Sequence, residues 1–294
     1  MPSAYLWCPA YPLADAGRVV AARRAAAALA TSLGCELHES PTLAEPGPRG
    51  GWAPAELRRA EFAQALAHDV LLPARGGYGC LDLVADVLAW PGRGGLLIGY
   101  SDLTVLHAAW RRRGWGETIY GFMPGVEHGP RALASTLALA RGEALACTRA
   151  SNPAVVPLRA GAARGWCFAA CLRVLAGLVG TQAMPDLRGA VLALEDIDER
   201  PYQIDRDLTQ LHRSGALDGV VALVFAHFPA SLPPDYAGPS TLAICRAWSE
   251  RLAIPAISGL PIGHDPDPLS LACGRATRLM VDGDDWRLEL TARR

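Results

Sequence analysis

The chain has 294 residues and a formal net charge of -1, with 51% hydrophobic and 19% charged residues. This length suits two modest α/β domains, and the apolar content argues against extensive disorder. Lysine is absent and the arginines form no basic stripe, which argues against nucleic acid as a partner.

The first half of the chain alternates strand-like and helix-like segments. Strands are predicted at residues 5–8, 69–73 and 95–99, and helices at residues 18–33, 54–67, 81–88 and 102–113. A polar loop rich in proline and glycine is predicted at residues 39–52. This alternation is typical of βαβ units on a parallel sheet.

The second half follows a polar stretch at residues 147–163, which we interpret as a linker, and the domain boundary is predicted near residue 150. Helices are predicted at residues 168–179, 205–214 and 239–251, and strands at residues 190–194 and 220–225. Short β-like segments are predicted at residues 278–281 and 286–290. No internal repeat is visible.

No targeting or membrane segment is recognised, and the cysteines suit a reducing compartment, so the sequence predicts a cytoplasmic protein without membrane contact. No apolar run approaches the ~20 residues of a membrane helix, and the start of the chain lacks a basic signal-peptide region. The eight cysteines are scattered and resemble no secreted disulfide framework, which favours buried free thiols. Cys167 and Cys171 have no Cys/His partner pair at zinc-site spacing, so no metal is predicted.

Ser101 follows the apolar strand in the run Gly99-Tyr100-Ser101-Asp102. A tight strand-to-helix turn projects one side chain at the carboxyl end of a parallel sheet, where ligands bind, and helix N–H groups there stabilise an oxyanion. Ser101 is therefore a candidate nucleophile. The alternative is a helix N-cap, which taken alone suits Ser-Asp better. Leu103 replaces the second glycine of Gly-x-Ser-x-Gly, so esterase rules do not transfer.

The loop at residues 75–79 (RGGYG) ends the preceding strand and is expected at the same sheet edge. Glycines let a backbone approach a ligand closely and direct N–H groups at it. The loop lacks the Lys-Ser/Thr of a P-loop and does not form Gly-x-Gly-x-x-Gly. An oxyanion-hole loop is favoured over a phosphate-binding loop, and a structural turn is the remaining alternative.

A serine nucleophile needs a base, usually a histidine held by a carboxylate. His107 lies on the same predicted helix as Ser101 and points away, and His227 is a weak candidate after a buried strand. His264 is favoured because its loop is shaped by glycine and proline. The remaining histidines are interpreted as surface residues: His38, His68, His128 and His212.

Glu195 is the distinctive carboxylate because it ends an apolar strand, where an acid is costly without a partner. Asp196, Asp198 and Glu199 continue into a segment that also fits a simple acidic loop. By chemistry alone, the combination of Ser101, His264 and Glu195 is one plausible triad among several.

Five motifs occur in order along nearly the whole chain: RGGYG at 75–79, GYSDLT at 99–104, Gly180-Thr181, LEDIDERPYQIDRDLTQ at 194–210 with Gly215, and LPIGH at 260–264. Together they closely resemble the LD-carboxypeptidase family, the serine peptidases that trim murein tetrapeptides. The resemblance implies an α/β fold with a Rossmann-like parallel-sheet N-terminal domain (1–150) and a smaller α/β C-terminal domain (151–294). The active site is then expected at the domain junction.

The resemblance places the nucleophile at Ser101, the triad acid at Glu195 and the triad base at His264. It also implies an oxyanion hole made by the backbone N–H groups of Gly77 and Asp102, a homodimer, a cytoplasmic setting and no cofactor. The expected reaction releases the terminal D-alanine of murein tetrapeptide, a small peptide substrate, by cleaving an L,D-peptide bond in cell-wall recycling. The terminal carboxylate needs a cation, for which Arg75 and Arg206 are the candidates, with an exposed position on a helix surface as the alternative for Arg206.

Two places depart from the family pattern. Ala169-Ala170-Cys171 stands where Gly-Gly-Asn is common, and Leu81-Asp82 stands near the place of an arginine that is usual after RGGYG. Two alternatives therefore stay open. One is a microcin-immunity-type serine hydrolase that cleaves peptide-nucleotide amides, and the other is a non-catalytic peptide-binding protein on the same scaffold.

Overall fold

The computed structural model describes residues 1–13, 15–43, 54–229, 232 and 235–293. Helices and strands alternate through the first half. In chain order they are β1 (Ser3–Trp7), α1 (Ala16–Leu33), β2 (Glu36–Glu39), α2 (Ala55–Ala65), β3 (Val70–Pro73), α3 (Val84–Ala89), β4 (Leu96–Gly99), α4 (Thr104–Arg113), β5 (Thr118–Tyr120) and α5 (Pro130–Ala140). Short 3-10 turns at Cys80–Leu83 and Ser101–Leu103 precede α3 and α4.

The second half is richer in strands. In chain order its elements are β6 (Leu145–Thr148), β7 (Val156–Arg159), β8 (Gly161–Cys171), α6 (Leu172–Gly177), β9 (Ala190–Glu195), α7 (Pro201–Arg213), β10 (Ala222–Ala226), α8 (Thr241–Leu252), β11 (Ala256–Leu260), β12 (Leu271–Cys273), β13 (Ala276–Asp282) and β14 (Asp285–Leu290). No helix of the described residues is long and apolar enough to cross a membrane.

The first sheet carries the segments that the sequence singles out in the first half. Within the described residues its strand order is β12-β5-β4-β3-β1-β2. Strands β1 to β5 run parallel, and β12 pairs antiparallel with β5. The carboxyl ends of β3 and β4 therefore meet at one edge, and residues 75–79 and Ser101 follow directly from them.

The second sheet supplies the candidate acid and base. Within the described residues its order is β6-β14-β13-β8-β9-β10-β11-β7. Its central strands β8 to β11 run parallel, so Glu195 at the end of β9 and the loop after β11 share one edge. The α/β class with two sheets is confirmed, and the observed order explains why residues far apart in sequence come together.

The helix predicted at residues 168–179 is wrong over its first turn and correct only for the short helix inside it. Residues 161–171 form β8, and the helix that follows is the short α6. Residues 167–171 are all buried: they pair in register with β9 on one side, and on the other side the backbone N–H of Ala169 donates to the sulfur of Cys273 on β12. A central strand buried on both faces shows a continuous apolar run, which hydrophobic periodicity does not distinguish from a buried helix.

The linker predicted at residues 147–163 is also wrong, because it contains β7, the end of β6 and the start of β8. Five other elements were not predicted from the sequence, namely β2, β5, β11, β12 and α5. Most of these are short, so they offer little periodicity. Of the predicted loop at 39–52, residue 39 belongs to β2 and residues 44–52 lie outside the described residues. The domain boundary near residue 150 stays a prediction.

Candidate active site

Ser101 starts the turn between β4 and α4 with a backbone φ of 67°. This left-handed conformation is uncommon for a serine and costs roughly 1–3 kcal/mol, which the surrounding structure must offset. In the described residues around this turn, no side chain caps either the 3-10 turn or α4. The helix-cap alternative is therefore not supported, and a strained turn holds the Ser101 side chain at the sheet edge.

The RGGYG loop packs directly against this turn. A Cβ on Gly76 would lie 3.0 Å from Cβ of Ser101 and 3.3 Å from its Oγ, so a larger residue would force the loop and the turn apart by a few tenths of an ångström. The backbone N–H of Cys80 donates a 2.9 Å hydrogen bond to the buried carboxylate of Asp102. This bond fastens the loop to the Ser101 turn. The N–H groups of Gly77 and Asp102 stay the predicted oxyanion hole.

Glu195 and His264 form a close pair beside the turn. Nδ1 of His264 lies 2.7 Å from Oε2 of Glu195, and the backbone N–H of His264 donates to the same oxygen at 3.3 Å. Glu195 is 1% exposed. Gly263 has φ +67°, and a Cβ there would lie 2.2 Å from Cδ of Glu195. The glycine of LPIGH is thus required for the acid to reach the base.

The protonation of His264 is governed by this pair. Burial favours the neutral ring, but the hydrogen bond and negative charge of Glu195, with Asp196 and Asp198, outweigh it and raise the pKa of His264. Burial, assisted by the charge of Glu195, also raises the pKa of Asp196 to about 7. His264 therefore lies in a field that favours the imidazolium.

Ser101 and His264 both line a cavity of about 750 Å³, whose other described lining residues belong to the first half of the chain. Tyr100 forms part of its wall, with its ring edge-on to His264 at a centroid distance of 5.0 Å. The cavity's other charged and polar lining residues are Arg18, Arg75, Glu127 and His128. The structure therefore brings Ser101 and His264 to one cavity, and Glu195, which is buried and is not among the described residues that line it, contacts His264.

The two candidate carboxylate-binding arginines are placed differently. Arg75 lines the cavity, and its guanidinium lies 5.6 Å from the ring centroid of Tyr11. Arg206 is half-exposed on α7, with Nε 3.7 Å from the carboxylate of Asp207, and is not among the described residues that line the cavity. Arg18, at the start of α1, lines the cavity and was not singled out from the sequence.

Most other histidines have structural contacts. His107 is buried, with Nδ1 2.6 Å from Oγ1 of Thr118 and Nε2 2.8 Å from the carbonyl of Gly99. Burial lowers the pKa of His107 to about 4. His227 lies 3.0 Å from Asp265 at the edge of the site. Among the residues that the structure describes, no group of three or more His, Cys, Asp or Glu side chains is arranged to hold a metal ion.

Comparisons with known proteins agree over both halves of the chain. Residues 5–121 match the LD-carboxypeptidase N-terminal domain, and residues 164–279 match the LD-carboxypeptidase C-terminal domain. A Streptomyces coelicolor protein named "Putative carboxypeptidase" is 35% identical over 232 residues, which cover 77% of this chain and 73% of that protein. The chain belongs to the LD-carboxypeptidase family. It is therefore a member of a family of peptide hydrolases.

Further LD-carboxypeptidase relatives and solved structures support the assignment. "Probable murein peptide carboxypeptidase" of Bacillus subtilis is 31% identical over 182 residues, which cover 60% of this chain and 57% of that protein. A muramoyltetrapeptide carboxypeptidase from Oxalobacter formigenes matches with a TM-score of 0.82 and 25% identity, covering 99% of this chain and 100% of that chain. The microcin C7 self-immunity protein MccF matches with a TM-score of 0.80 and 17% identity, over 99% and 96% of the chains, which shows a shared fold.

The first departure from the LD-carboxypeptidase pattern lies behind the site. Residues 169–171 end β8, and Cys171 pairs in register with Glu195 on β9. The backbone N–H of Cys171 donates to Oγ1 of Thr104 at 3.0 Å, and its thiol donates to Asp196 at 3.4 Å. Cys171 thus supports the segment that carries the acid and is not among the described residues lining the cavity.

The second departure is matched by an arginine from another element. Arg58 on α2 is fully buried, and its Nη1 donates to the carbonyl of Gly79 at 2.5 Å and to that of Pro9 at 3.2 Å. Its Nη2 pairs with the carboxylate of Asp82. The guanidinium of Arg58 therefore contacts the RGGYG loop, although leucine and aspartate stand at positions 81 and 82, near the place of the usual arginine.

Two residues at the site were not singled out from the sequence: Tyr120, whose phenol donates a hydrogen bond to Glu195, and Arg18. Tyr120 ends β5, a strand of three residues with too little periodicity to recognise. A signal for Arg18 was available, because α1 begins just after the carboxyl end of β1, at the sheet edge where ligands bind.

Proposed function

We propose that this chain is a serine carboxypeptidase that releases the terminal D-alanine from murein tetrapeptide by cleaving an L,D-peptide bond. The observation that carries the proposal is the pairing of His264 with buried Glu195 at 2.7 Å, in the wall of the cavity that holds Ser101. Membership of the LD-carboxypeptidase family and the strained φ of Ser101 support it.

In the proposed mechanism His264 accepts the proton of Ser101 Oγ, which attacks the carbonyl carbon of the diamino-acid residue. Glu195 orients the imidazole and stabilises the imidazolium. The N–H groups of Gly77 and Asp102 receive the developing oxyanion. The C–N bond then breaks, His264 gives its proton to the leaving amine of D-alanine, and an ester to Ser101 remains. Water hydrolyses that ester with His264 again acting as base.

The cavity supports a substrate with a terminal carboxylate. Arg75 lines it and supplies the cation that we propose binds the D-alanine carboxylate, and Arg18 adds a second positive charge. The position of Arg206 beside Asp207, away from the cavity lining, makes Arg75 the better candidate of the two predicted arginines. We further propose that the enzyme is a cytoplasmic homodimer without a cofactor and acts in cell-wall recycling.

The test is release of D-alanine from murein tetrapeptide by the wild type and by Ser101→Ala. We expect release by the wild type and a loss of at least about 10³-fold in Ser101→Ala. Ser32→Ala, an exposed serine on α1, is the matched control and should retain full activity. Undiminished release by Ser101→Ala would reject the nucleophile.

The alternatives are distinguished in the same assay. Cleavage of a peptide-nucleotide amide without D-alanine release would favour a microcin-immunity-type hydrolase. Binding of tetrapeptide without turnover would favour a non-catalytic peptide-binding protein. Either result rejects the proposed carboxypeptidase activity. Sedimentation of the purified protein tests the homodimer, since a monomer at micromolar concentration contradicts it.

A further inference from the structure

Tyr120 connects the Ser101 turn to the Glu195 side chain. Its phenol donates a 2.5 Å hydrogen bond to Oε1 of Glu195 and accepts a 3.2 Å hydrogen bond from the backbone N–H of Ser101. Tyr120 is fully buried at the end of β5, where it pairs in register with Gly99 of β4. One side chain from the first sheet therefore contacts both the Ser101 backbone and an acid from the second sheet.

We propose that Tyr120 is a positioning residue that holds Glu195 and the Ser101 turn in the geometry required for proton transfer to His264. This proposal rests on the proposed function of Ser101, Glu195 and His264. Tyr120 acts through these residues, because it is not among the described residues that line the cavity. It contacts no substrate in this role.

The two oxygens of Glu195 have separate partners. Oε2 faces Nδ1 and the backbone N–H of His264, while Oε1 receives the phenol of Tyr120. A carboxylate held at both oxygens cannot rotate away from the imidazole without breaking a short hydrogen bond. The phenol also takes part of the negative charge of Glu195, so it adjusts how strongly Glu195 attracts the proton on His264.

The phenol keeps its proton throughout. Burial raises the pKa of Tyr120 well above its usual value, and the charge of Glu195 raises it further. Tyr120 is therefore a donor to Glu195 at neutral pH. The backbone N–H of Ser101 already donates to this phenol, so in the proposed mechanism the N–H groups of Gly77 and Asp102 bind the oxyanion.

Tyr120→Phe removes the hydroxyl and keeps the ring. We expect kcat for D-alanine release to fall about 10- to 100-fold, as when a residue that orients a catalytic partner is removed, with KM within about 2-fold of the wild type. Glu195 then keeps its full charge for His264, so the acidic limb of the rate–pH profile moves to higher pH. Tyr5→Phe, a buried tyrosine of β1 whose hydroxyl contacts Gln64, is the matched control.

A second substitution changes the strength of the hydrogen bond from Tyr120 to Glu195 without removing it. 3,5-Difluorotyrosine at position 120 keeps the ring and hydroxyl but makes the O–H a stronger donor, so the acidic limb moves to lower pH. A role confined to packing predicts no movement of the limb with either substitution. The fluorinated variant also guards against a Tyr120→Phe protein that fails to fold.

A serine-directed fluorophosphonate probe separates this proposal from the choice of substrate. Ser101 Oγ displaces fluoride from phosphorus, His264 takes the proton, and Ser101→Ala gives the unlabelled blank. Labelling slowed about 10-fold or more by Tyr120→Phe supports the positioning role even if no murein peptide is cleaved. The positioning role is overturned if Tyr120→Phe and the difluorotyrosine variant both keep the wild-type labelling rate and the wild-type acidic limb. A wild type that neither releases D-alanine nor is labelled at Ser101 overturns both proposals.

Discussion

Protonation of His264 decides when the proposed reaction can run. As a general base His264 must be neutral, and the hydrogen bond and charge of Glu195 raise its pKa despite burial. The carboxylate that orients the ring therefore also limits its use at low pH. Asp196, with a pKa raised to about 7, adds negative charge to the same place as the pH rises.

A pH profile of D-alanine release tests this coupling. We expect the rate to fall as the pH falls through the raised pKa of His264, with a midpoint above 6.5, because the imidazolium cannot accept the Ser101 proton. Glu195→Gln removes the charge, and burial then favours the neutral ring, so the midpoint moves to lower pH. The same variant lowers kcat by about 10³- to 10⁴-fold, as loss of the triad acid does elsewhere.

Glu250→Gln is the control for this experiment. Glu250 is exposed on α8, so the substitution changes the net charge equally without touching the site. Its midpoint should match that of the wild type. A midpoint that stays in place in Glu195→Gln would show that Glu195 does not govern His264.

At the scale of elements, α2 supports the RGGYG loop through the side chain of Arg58. Arg58 donates to the carbonyl of Gly79 and pairs with Asp82, and Gly79 has φ +131° with its Cβ position 2.8 Å from Nη1 of Arg58. A larger residue at position 79 would be strained at this φ and would displace the guanidinium. Gly76, three residues earlier in the same loop, lies against the Ser101 turn.

Arg58→Met keeps the volume of the side chain but removes its donors. We expect the free energy of unfolding to fall by about 3 kcal/mol, because buried carbonyls lose their partner, and kcat/KM to fall about 10-fold as the Gly77 N–H shifts. Urea unfolding and D-alanine release measure the two effects.

Arg59→Met is the matched control, one residue further along α2. Arg59 is about half-exposed and pairs with Asp86 at 3.1 Å, so its loss should change stability by less than about 1 kcal/mol. If Arg58→Met lost stability without any change in kcat/KM, the loop would not depend on Arg58 for its catalytic geometry.

At the scale of the whole molecule, Arg275 ties the two sheets together. It lies between β12, an edge strand of the first sheet, and β13 of the second sheet, and it is 2% exposed. Its guanidinium binds both carboxylate oxygens of Glu117, at 2.5 and 2.7 Å, just before β5. It also donates to three backbone carbonyls, those of Leu139, Glu143 and Thr291.

Glu117→Gln leaves the Arg275 charge buried without its counter-charge. We expect the free energy of unfolding to fall by about 2–4 kcal/mol, because an unpaired buried ion keeps its desolvation cost. Arg287→Gln, which breaks an exposed pair with Glu289, should change it by less than about 1 kcal/mol. If chemical unfolding gave the same loss of unfolding free energy for Glu117→Gln and Arg287→Gln, the buried pair would not stabilise the junction.

By itself the sequence determined the α/β class, the family and the candidates Ser101, Glu195 and His264. These features are encoded locally, because turn glycines, an acid ending an apolar strand and strand–helix alternation are visible within short windows. The error at residues 168–179 has the same basis, since the apolar run of β8 fits a helix or a central strand until its neighbours are known.

Only the tertiary structure decided which distant residues meet. The phenol of Tyr120 reaches Glu195 across 75 positions, and Arg58 reaches the RGGYG loop from a helix that carries no motif. The position of Arg206 beside Asp207 and away from the cavity lining is likewise visible only in the tertiary structure. The physical reason is that these contacts depend on strand order and the junction between sheets, which no local pattern of residues specifies.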